Sequence, residues 1–432
     1  MSLMLFEGAA GTGKTTRLLE EARSYLKEFP PETDQRALAL TKFHGSRRRL
    51  ESKLTGRDGV GHPVECLTID SFAWDLVRRW RGLLKHLGVV VVKGDFQSIT
   101  SAAGQLLQQP GVGPWVSRRY PLVVVDELQD CKGGELSLLQ GLVSHTRFLC
   151  AADAFQDLSG ATDNEAIAWA TITGEVVPLQ NVHRTSIRGL RAAATALRNG
   201  VNLRSDRASG FEFVSVPKAP VGGGAASWFI KSWARLGQVA IISPSRPETS
   251  RFAEEIVKWV STKSAKSRTS GATSGPFSLN WETAEETLCQ ELVEAVRLPE
   301  DPDSHVSCLH LAEIAHRLGA SDVREWLDRE RNVSGRQMIL AGEVADHIRQ
   351  IVHRRRAFGR LGETRRVAMT VHQAKNREFE FVIALWPLRI VQDAEQQRRL
   401  IYNAVTRAKR RALIIVEDPK GVRLNGPPFI SR

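Results

Sequence analysis

The eight residues Gly8-Ala9-Ala10-Gly11-Thr12-Gly13-Lys14-Thr15 constrain this chain more than any other feature. They fit G-x-x-x-x-G-K-[ST] and stand between an apolar run, Leu3 to Glu7, and a stretch spaced like an amphipathic helix. A strand that turns sharply into a helix gathers backbone N–H groups at the helix N-terminus, where the aligned peptide dipoles favour an anion. The glycines permit the close wrap, Lys14 reaches the β- and γ-phosphates, and Thr15 is placed to ligate Mg2+. Gly8, Gly11, Gly13, Lys14, Thr15 and Thr16 are therefore a candidate nucleoside triphosphate site. The same start commits the chain to an α/β fold with parallel strands.

The rest of the first 180 or so residues keeps that rhythm. Strands are expected at Leu3 to Glu7, Arg36 to Thr41, Cys66 to Asp70, Leu122 to Asp126, Phe148 to Ala152 and Val176 to Leu179. A basic, Trp-bearing stretch at about 73–120 reads as an insertion in a first domain over 1–181. Beyond it come a helix ending near Asn199, strands at Phe213 to Val216 and Val239 to Ser243, and a helix from about Glu248 to Val260. Strand signals return at Val367 to Val371, Phe381 to Trp386 and Leu413 to Val416. A second α/β domain is thus expected over 182–262 plus 365–432, split by a linker and helical insertion over 263–364. At the start of that insertion Ser261 to Gly275 is too polar to bury and reads as a flexible linker.

Composition narrows the class. With 432 residues and 42% hydrophobic content the chain can build two or three cored domains, which excludes a disordered tail or a disulfide miniprotein. Cys66, Cys131, Cys150, Cys289 and Cys308 show no C-x-x-C spacing, so they read as reduced thiols rather than metal ligands. No apolar run spans a bilayer, and a cytoplasmic, nucleoid-associated protein with no membrane partner is expected. The formal net charge of +12, with basic runs at Arg47 to Arg49, Arg78 to Arg81 and Arg354 to Arg356, fits either a polyanionic partner or solvated helix faces.

Two further segments bear on chemistry. The apolar run Leu122 to Val125 ends in Asp126-Glu127, where Asp126 would join the Mg2+ shell and Glu127 would orient or deprotonate an attacking water. After the next apolar run, Asp153-Ala154-Phe155-Gln156 places a Gln where it can touch a γ-phosphate.

Taken in order, these segments resemble the UvrD/Rep/PcrA-like branch of superfamily 1 DNA helicases. Ala39 to His44 matches its T-x-T-N motif, Thr68 to Phe72 its T-x-H-S-F, Asp126 to Asp130 its D-E-x-Q-D box, and Asp153 with Gln156 its G-D-x-x-Q. Leu179 to Thr185 matches L-x-x-N-Y-R-S, Met369 to Phe379 matches M-T-x-H-x-x-K-G-L-E-F, and Tyr402 to Lys409 matches Y-V-A-x-T-R-A-K. The resemblance spans nearly the whole chain. It implies two RecA-like P-loop domains with small, mostly helical insertions, and ATP with Mg2+ at their interface. By it, Arg184 and Arg407 reach the γ-phosphate from the second domain, joining Glu127 and Gln156 as catalytic residues. His183 stands where the family stacks adenine on Tyr, Arg17 could supply the other face, and Glu378 looks like the ribose contact. The nucleic-acid candidates carried over are Thr41, Phe43, Thr68, Ser71, Phe72, Thr370 and His372.

Four departures qualify the expectation. The family's adenine-reading Gln segment has no counterpart before Gly8, and His183 replaces Tyr. Asp157 to Asn164 lacks the aromatic pair on which bases stack, a contact worth ~1–3 kcal/mol per base, leaving Phe43, Phe72 or Trp74 as substitutes unless they are core. Asn376 stands for a Gly, and the insertions are short. Two functions remain open: a motor on single-stranded DNA, or a helicase-like regulatory ATPase subunit controlling a partner such as a nuclease in repair or defence.

Overall fold

Leu, Val and Ile runs too apolar to face water can be satisfied only in strands covered on both faces, and the chain builds two such sheets. The structure is a computed structural model that describes residues 3–42, 44–56, 59–92, 95–159, 164–245, 249–267, 269–282, 292–299, 301, 304–318, 320–348, 351, 366–390, 393–422 and 428–430. In the first half β1 (Leu3–Gly8), β2 (Ala37–Thr41), β3 (Val64–Thr68), β4 (Leu122–Val125), β5 (Arg147–Ala152) and β6 (Glu175–Leu179) form one parallel sheet in the order β3-β2-β4-β5-β1-β6. The P-loop leaves the carboxyl end of β1, with β4 and β5 ending on the same side. Loops at the carboxyl ends of parallel strands form the natural ligand crevice of an open α/β sheet.

The second half begins with a short strand, β7 (Leu203–Arg204), followed by β8 (Phe211–Val216), β9 (Val239–Ser243), β10 (Ala265–Lys266), β11 (Thr273–Ser274), β12 (His305–Ser307) and β13 (Met338–Leu340). Its last strands are β14 (Arg366–Thr370), β15 (Phe379–Trp386), β16 (Ala408–Glu417) and β17 (Phe429–Ile430). A parallel five-stranded sheet runs β14-β9-β15-β16-β8, and β17 pairs with β7 at its flank. The α/β class and the two-sheet plan are as expected. One buried cluster crosses between the halves: Ala10 and Leu158 pack with Leu190, Leu197, Tyr402 and Val405.

Several expected elements shift. The third strand stops at Thr68, whose side chain accepts from the Ser71 N–H and caps the helix Ile69–Arg79, so Ile69 and Asp70 are helical. The stretch read as an insertion is helical at Arg81–His86, Phe96–Leu107 and Val112–Arg119. Ser261 to Gly275 is not a free linker over its described residues. It ends one helix and then forms the β10/β11 hairpin, held to the helix Ala219–Trp233 where Ser274 donates to the Ser227 carbonyl at 2.6 Å. That helix is not among the expected elements, and its Gly222-Gly223-Gly224 run has low intrinsic helix propensity. Close packing explains the glycines: a Cβ at Gly222 would meet Ile256 at 2.7 Å, and one at Gly223 would meet the Trp259 ring at 2.8 Å.

The region between β11 and β14 is mostly helical in its described parts, with β12 and β13 paired antiparallel and Cys308–Arg317 packed on Ser321–Asn332 around Leu311, Val323 and Leu327. Cys66, Cys131, Cys150 and Cys308 are free and buried, while Cys289 and the run Arg354 to Arg356 lie outside the described residues. Among the described residues, no helix is long and apolar enough to cross a membrane, and no cluster of three or more His, Cys, Asp or Glu could hold a metal.

Candidate nucleotide site

The P-loop is shaped by left-handed backbone that only glycine adopts freely. Gly11 and Gly13 both have φ of 82°, and a Cβ at Gly11 would lie 2.5 Å from the Arg184 Cβ. The Leu179 to Arg184 segment therefore rests on the loop, with the His183 and Arg184 N–H groups donating to the Gly11 carbonyl at 2.7 and 3.2 Å. Lys14 opens the helix Lys14–Glu28, and its ammonium donates to the Gly8 and Ala9 carbonyls at 2.9 and 3.0 Å. Thr16 and Arg17 are exposed on the first turn, where Arg17 pairs with Glu20 at 3.2 Å. His183 is also exposed, 3.6 Å from where a Gly13 Cβ would stand.

Thr15 donates its hydroxyl to Asp126 Oδ2 at 3.1 Å, bringing the two proposed Mg2+ ligands together. A hydroxyl and a carboxylate, completed by phosphate oxygens and water, suit that hard, octahedral ion. Burial at the end of β4, and then Glu127 beside it, push the Asp126 carboxyl up to about 6 against the pull of Lys14 and Thr15. Glu127 sits in the left-handed region, φ 62° and ψ 47°, a conformation that costs a non-glycine residue on the order of 1–3 kcal/mol and is typical of functional sites. Gln129 donates to Glu127 Oε2 at 2.5 Å and accepts from the Asp153 N–H at 3.0 Å, tying the ends of β4 and β5 together.

Asp153 is fully buried and caps the turn Ala154–Gln156. Gln156 donates to Asp153 Oδ2 at 2.9 Å and accepts from Arg407 Nη2 at 2.8 Å. Arg407 is only 2% exposed, and burial, with Arg184 nearby, lowers its guanidinium to about 10, so it remains cationic at neutral pH. Arg184 donates to the Thr406 carbonyl at 3.0 Å and pairs with Glu378 at 3.1 Å. Burial pushes the Glu378 carboxyl up, but Arg184, Arg49 and Lys409 outweigh it and hold it below the ordinary value. Glu378, expected at the ribose, pairs with Arg184 and, at 3.3 Å, with Lys409.

The nucleic-acid candidates divide differently from expectation. Phe72 is 3% exposed and packs edge-on against Tyr120, so it is core and offers no face for a base. Trp74 also packs against that core. Thr68 and Ser71 share a 2.7 Å hydrogen bond in the helix cap, and Thr370 closes a reciprocal capping box with Gln373, so Thr68 and Thr370 hold the loops rather than reach outward. Thr41 is buried at the end of β2, His372 is exposed, and Phe43 lies outside the described residues. Asn376 adopts φ 59°, supplying the left-handed turn for which the motif has Gly.

Four residues stand here without a role assigned from sequence. Tyr402 accepts from the Ala10 N–H at 2.7 Å and donates to Asp153 at 3.2 Å, and Lys375 pairs with Asp130 at 2.6 Å. Both lie inside the quoted motifs, which was a signal. Arg49, read only as part of a basic run, lies in the field of Glu378, Arg184, Asp126 and Glu127. Arg198 pairs with Asp153 at 2.6 Å, a contact between distant segments that no local pattern announces.

Comparison with known proteins gives a likeness for the second half of the site. A family model described as the UvrD-like helicase C-terminal domain matches residues 366–415, which hold Thr370, Lys375, Glu378, Tyr402 and Arg407. No curated protein matches the chain. Among solved structures, Arterivirus nonstructural protein 10 (helicase) aligns at TM-score 0.36 and 12% identity, over 97% of this chain and 60% of that one. The segment that is similar to the UvrD-like helicase C-terminal domain forms β14, β15 and most of β16 of the second sheet and carries the residues that meet the P-loop and Gln156.

Proposed function

We propose that the chain is an ATP-dependent DNA translocase or helicase of the UvrD-like type. Two RecA-like domains, 1–181 and 182–262 plus 365–432, would close on ATP and reopen after hydrolysis, ratcheting along single-stranded DNA. One observation carries this reading: Lys14, Thr15, Asp126, Glu127 and Gln156 from the first sheet meet Arg184 and Arg407 from the other side, with Arg407 bonded to Gln156. Glu127 takes the proton of the attacking water, Lys14 and the two arginines stabilise charge on the transferring phosphoryl, and Gln156 couples Arg407 to that event. Thr15 and Asp126 would hold Mg2+, which neutralises the β- and γ-phosphate oxygens when bound.

The test is steady-state ATP hydrolysis with and without single-stranded DNA, duplex DNA and RNA, beside Lys14→Ala. Stimulation by single strands that Lys14→Ala abolishes is the expected outcome; no hydrolysis under any condition sinks the proposal. Hydrolysis indifferent to nucleic acid favours the second reading, a regulatory ATPase subunit acting on a partner enzyme such as a nuclease. That reading draws support from the described residues on either side of Gln156: Phe155 packs edge-on against Tyr402, Asp157 pairs with Lys132, and Asn164 bonds Asp157 and the Gln129 carbonyl. Those groups are engaged in packing rather than presented to bases.

A further inference from the structure

Arg198 ends the helix Arg188–Arg198, whose Leu190, Ala193 and Leu197 are buried against the second sheet, yet its guanidinium reaches the first. It donates to Asp153 Oδ1 at 2.6 Å and to the Tyr402 hydroxyl at 3.3 Å, and lies 5.4 and 5.5 Å from the Phe155 and Tyr402 ring centroids. Asp153 takes the Phe155 N–H on the same oxygen, and Gln156 and Tyr402 on the other. Lys14 stands 3.9 Å from that second oxygen while its ammonium donates to the loop carbonyls. Two cations thus compete for one carboxylate with no exposed surface. A buried carboxylate that loses a partner attracts whatever cation remains, because the desolvation cost of an unpaired charge is several kcal/mol.

We infer that Arg198 is a positioning residue of the nucleotide site: by occupying Asp153 it keeps Lys14 from being captured by that carboxylate and leaves the ammonium available to phosphate. It deepens the proposed function, resting on Lys14 as the phosphate lysine. The pair also joins the two halves, since Asp153 holds Gln156, Gln156 holds Arg407, and Tyr402 holds the P-loop at Ala10. Arg198 is 31% exposed, so replacing it does not open a sealed core.

Binding of a fluorescent, non-hydrolysable ATP analogue with Mg2+ tests this without requiring hydrolysis or DNA. Arg198→Leu should weaken binding about tenfold or more, which corresponds to ~1.4 kcal/mol. Arg198→Lys should recover most of it, and Arg198→Gln should fall between. The decisive variant is Arg198→Leu combined with Asp153→Asn, which retains a cap acceptor but removes the trap and should bind more tightly than Arg198→Leu alone. Thermal unfolding checks that each variant is folded. Unchanged binding by Arg198→Leu and Arg198→Gln overturns the inference, as does a double variant weaker than the single one. Wild-type binding that Lys14→Ala leaves intact would instead overturn the nucleotide reading itself.

Discussion

At the scale of single residues, the site is a set of charges whose ionisation is set by their neighbours. Asp126 is the clearest case, because burial and Glu127 raise its carboxyl to about 6 and so bring its titration near neutrality. Above that value it is an anion able to ligate Mg2+; below it, it is protonated. Mg2+-dependent nucleotide binding should therefore weaken as pH falls through about 6, while Asp126→Asn should bind weakly with a flattened profile. Analogue affinity measured from mildly acidic to neutral pH checks both. The stability effect runs the other way: with a folded-state value above the unfolded one, the native state of the unliganded protein binds more protons, so this group's contribution to stability falls as pH rises through about 6. Asp153 behaves oppositely, since Lys14 and Arg198 outweigh its burial and hold it below the ordinary carboxylate value. Its stabilising contribution is present at neutral pH and lost in acid as the carboxylate protonates.

Secondary elements show where local pattern and packing disagree. Three successive glycines in the helix Ala219–Trp233 cost intrinsic helix stability, and the structure separates those that packing requires from one that it does not. A Cβ at Gly223 would strike three Trp259 ring atoms at 2.8 Å, whereas at Gly224 its nearest neighbour is Trp259 at 3.9 Å, an ordinary contact. Gly224→Ala should stabilise the protein by about 0.4–1 kcal/mol, largely by restricting the unfolded chain. Gly223→Ala should destabilise it, since the helix must shift away from Trp259. Chemical denaturation of the two variants decides, and two shifts of the same sign would contradict the packing account. Elsewhere pattern and structure agree: all six strands expected in the first half form, because continuous Val, Ile and Leu runs have no satisfactory place but a covered parallel sheet.

For the whole molecule, the consequential feature is that neither sheet contains a complete site. Glu127 and Gln156 follow strands of the first sheet, Arg407 precedes the last strand of the second, and Gln156 and Arg407 meet in a buried hydrogen bond. Catalysis is accordingly proposed to depend on closure. Glu127→Gln should retain nucleotide binding and lose about 10²-fold or more in turnover, since it keeps the shape but removes the base. Arg407→Ala should cost roughly 10³-fold, the lower range measured for arginine fingers. Comparing analogue affinity with single-turnover hydrolysis separates the two effects, and normal hydrolysis by Glu127→Gln would show that another group is the base.

The sequence by itself determined the α/β class, the phosphate loop, the carboxylates that follow β4, and the ordered motifs that brought Arg184 and Arg407 into view. Those features are legible because each is local: a glycine-rich turn, an apolar run or a short spacing carries its own physical reason. Tertiary structure decided what those residues touch. It assigned Phe72 to the core, used Thr68 and Thr370 as caps, turned an expected linker into a hairpin, and placed Glu378 on Arg184. It also brought Arg198 to Asp153 across 45 residues of chain. An ion pair between distant segments depends on how two sheets dock, and docking is the sum of many contacts that no short stretch of sequence contains.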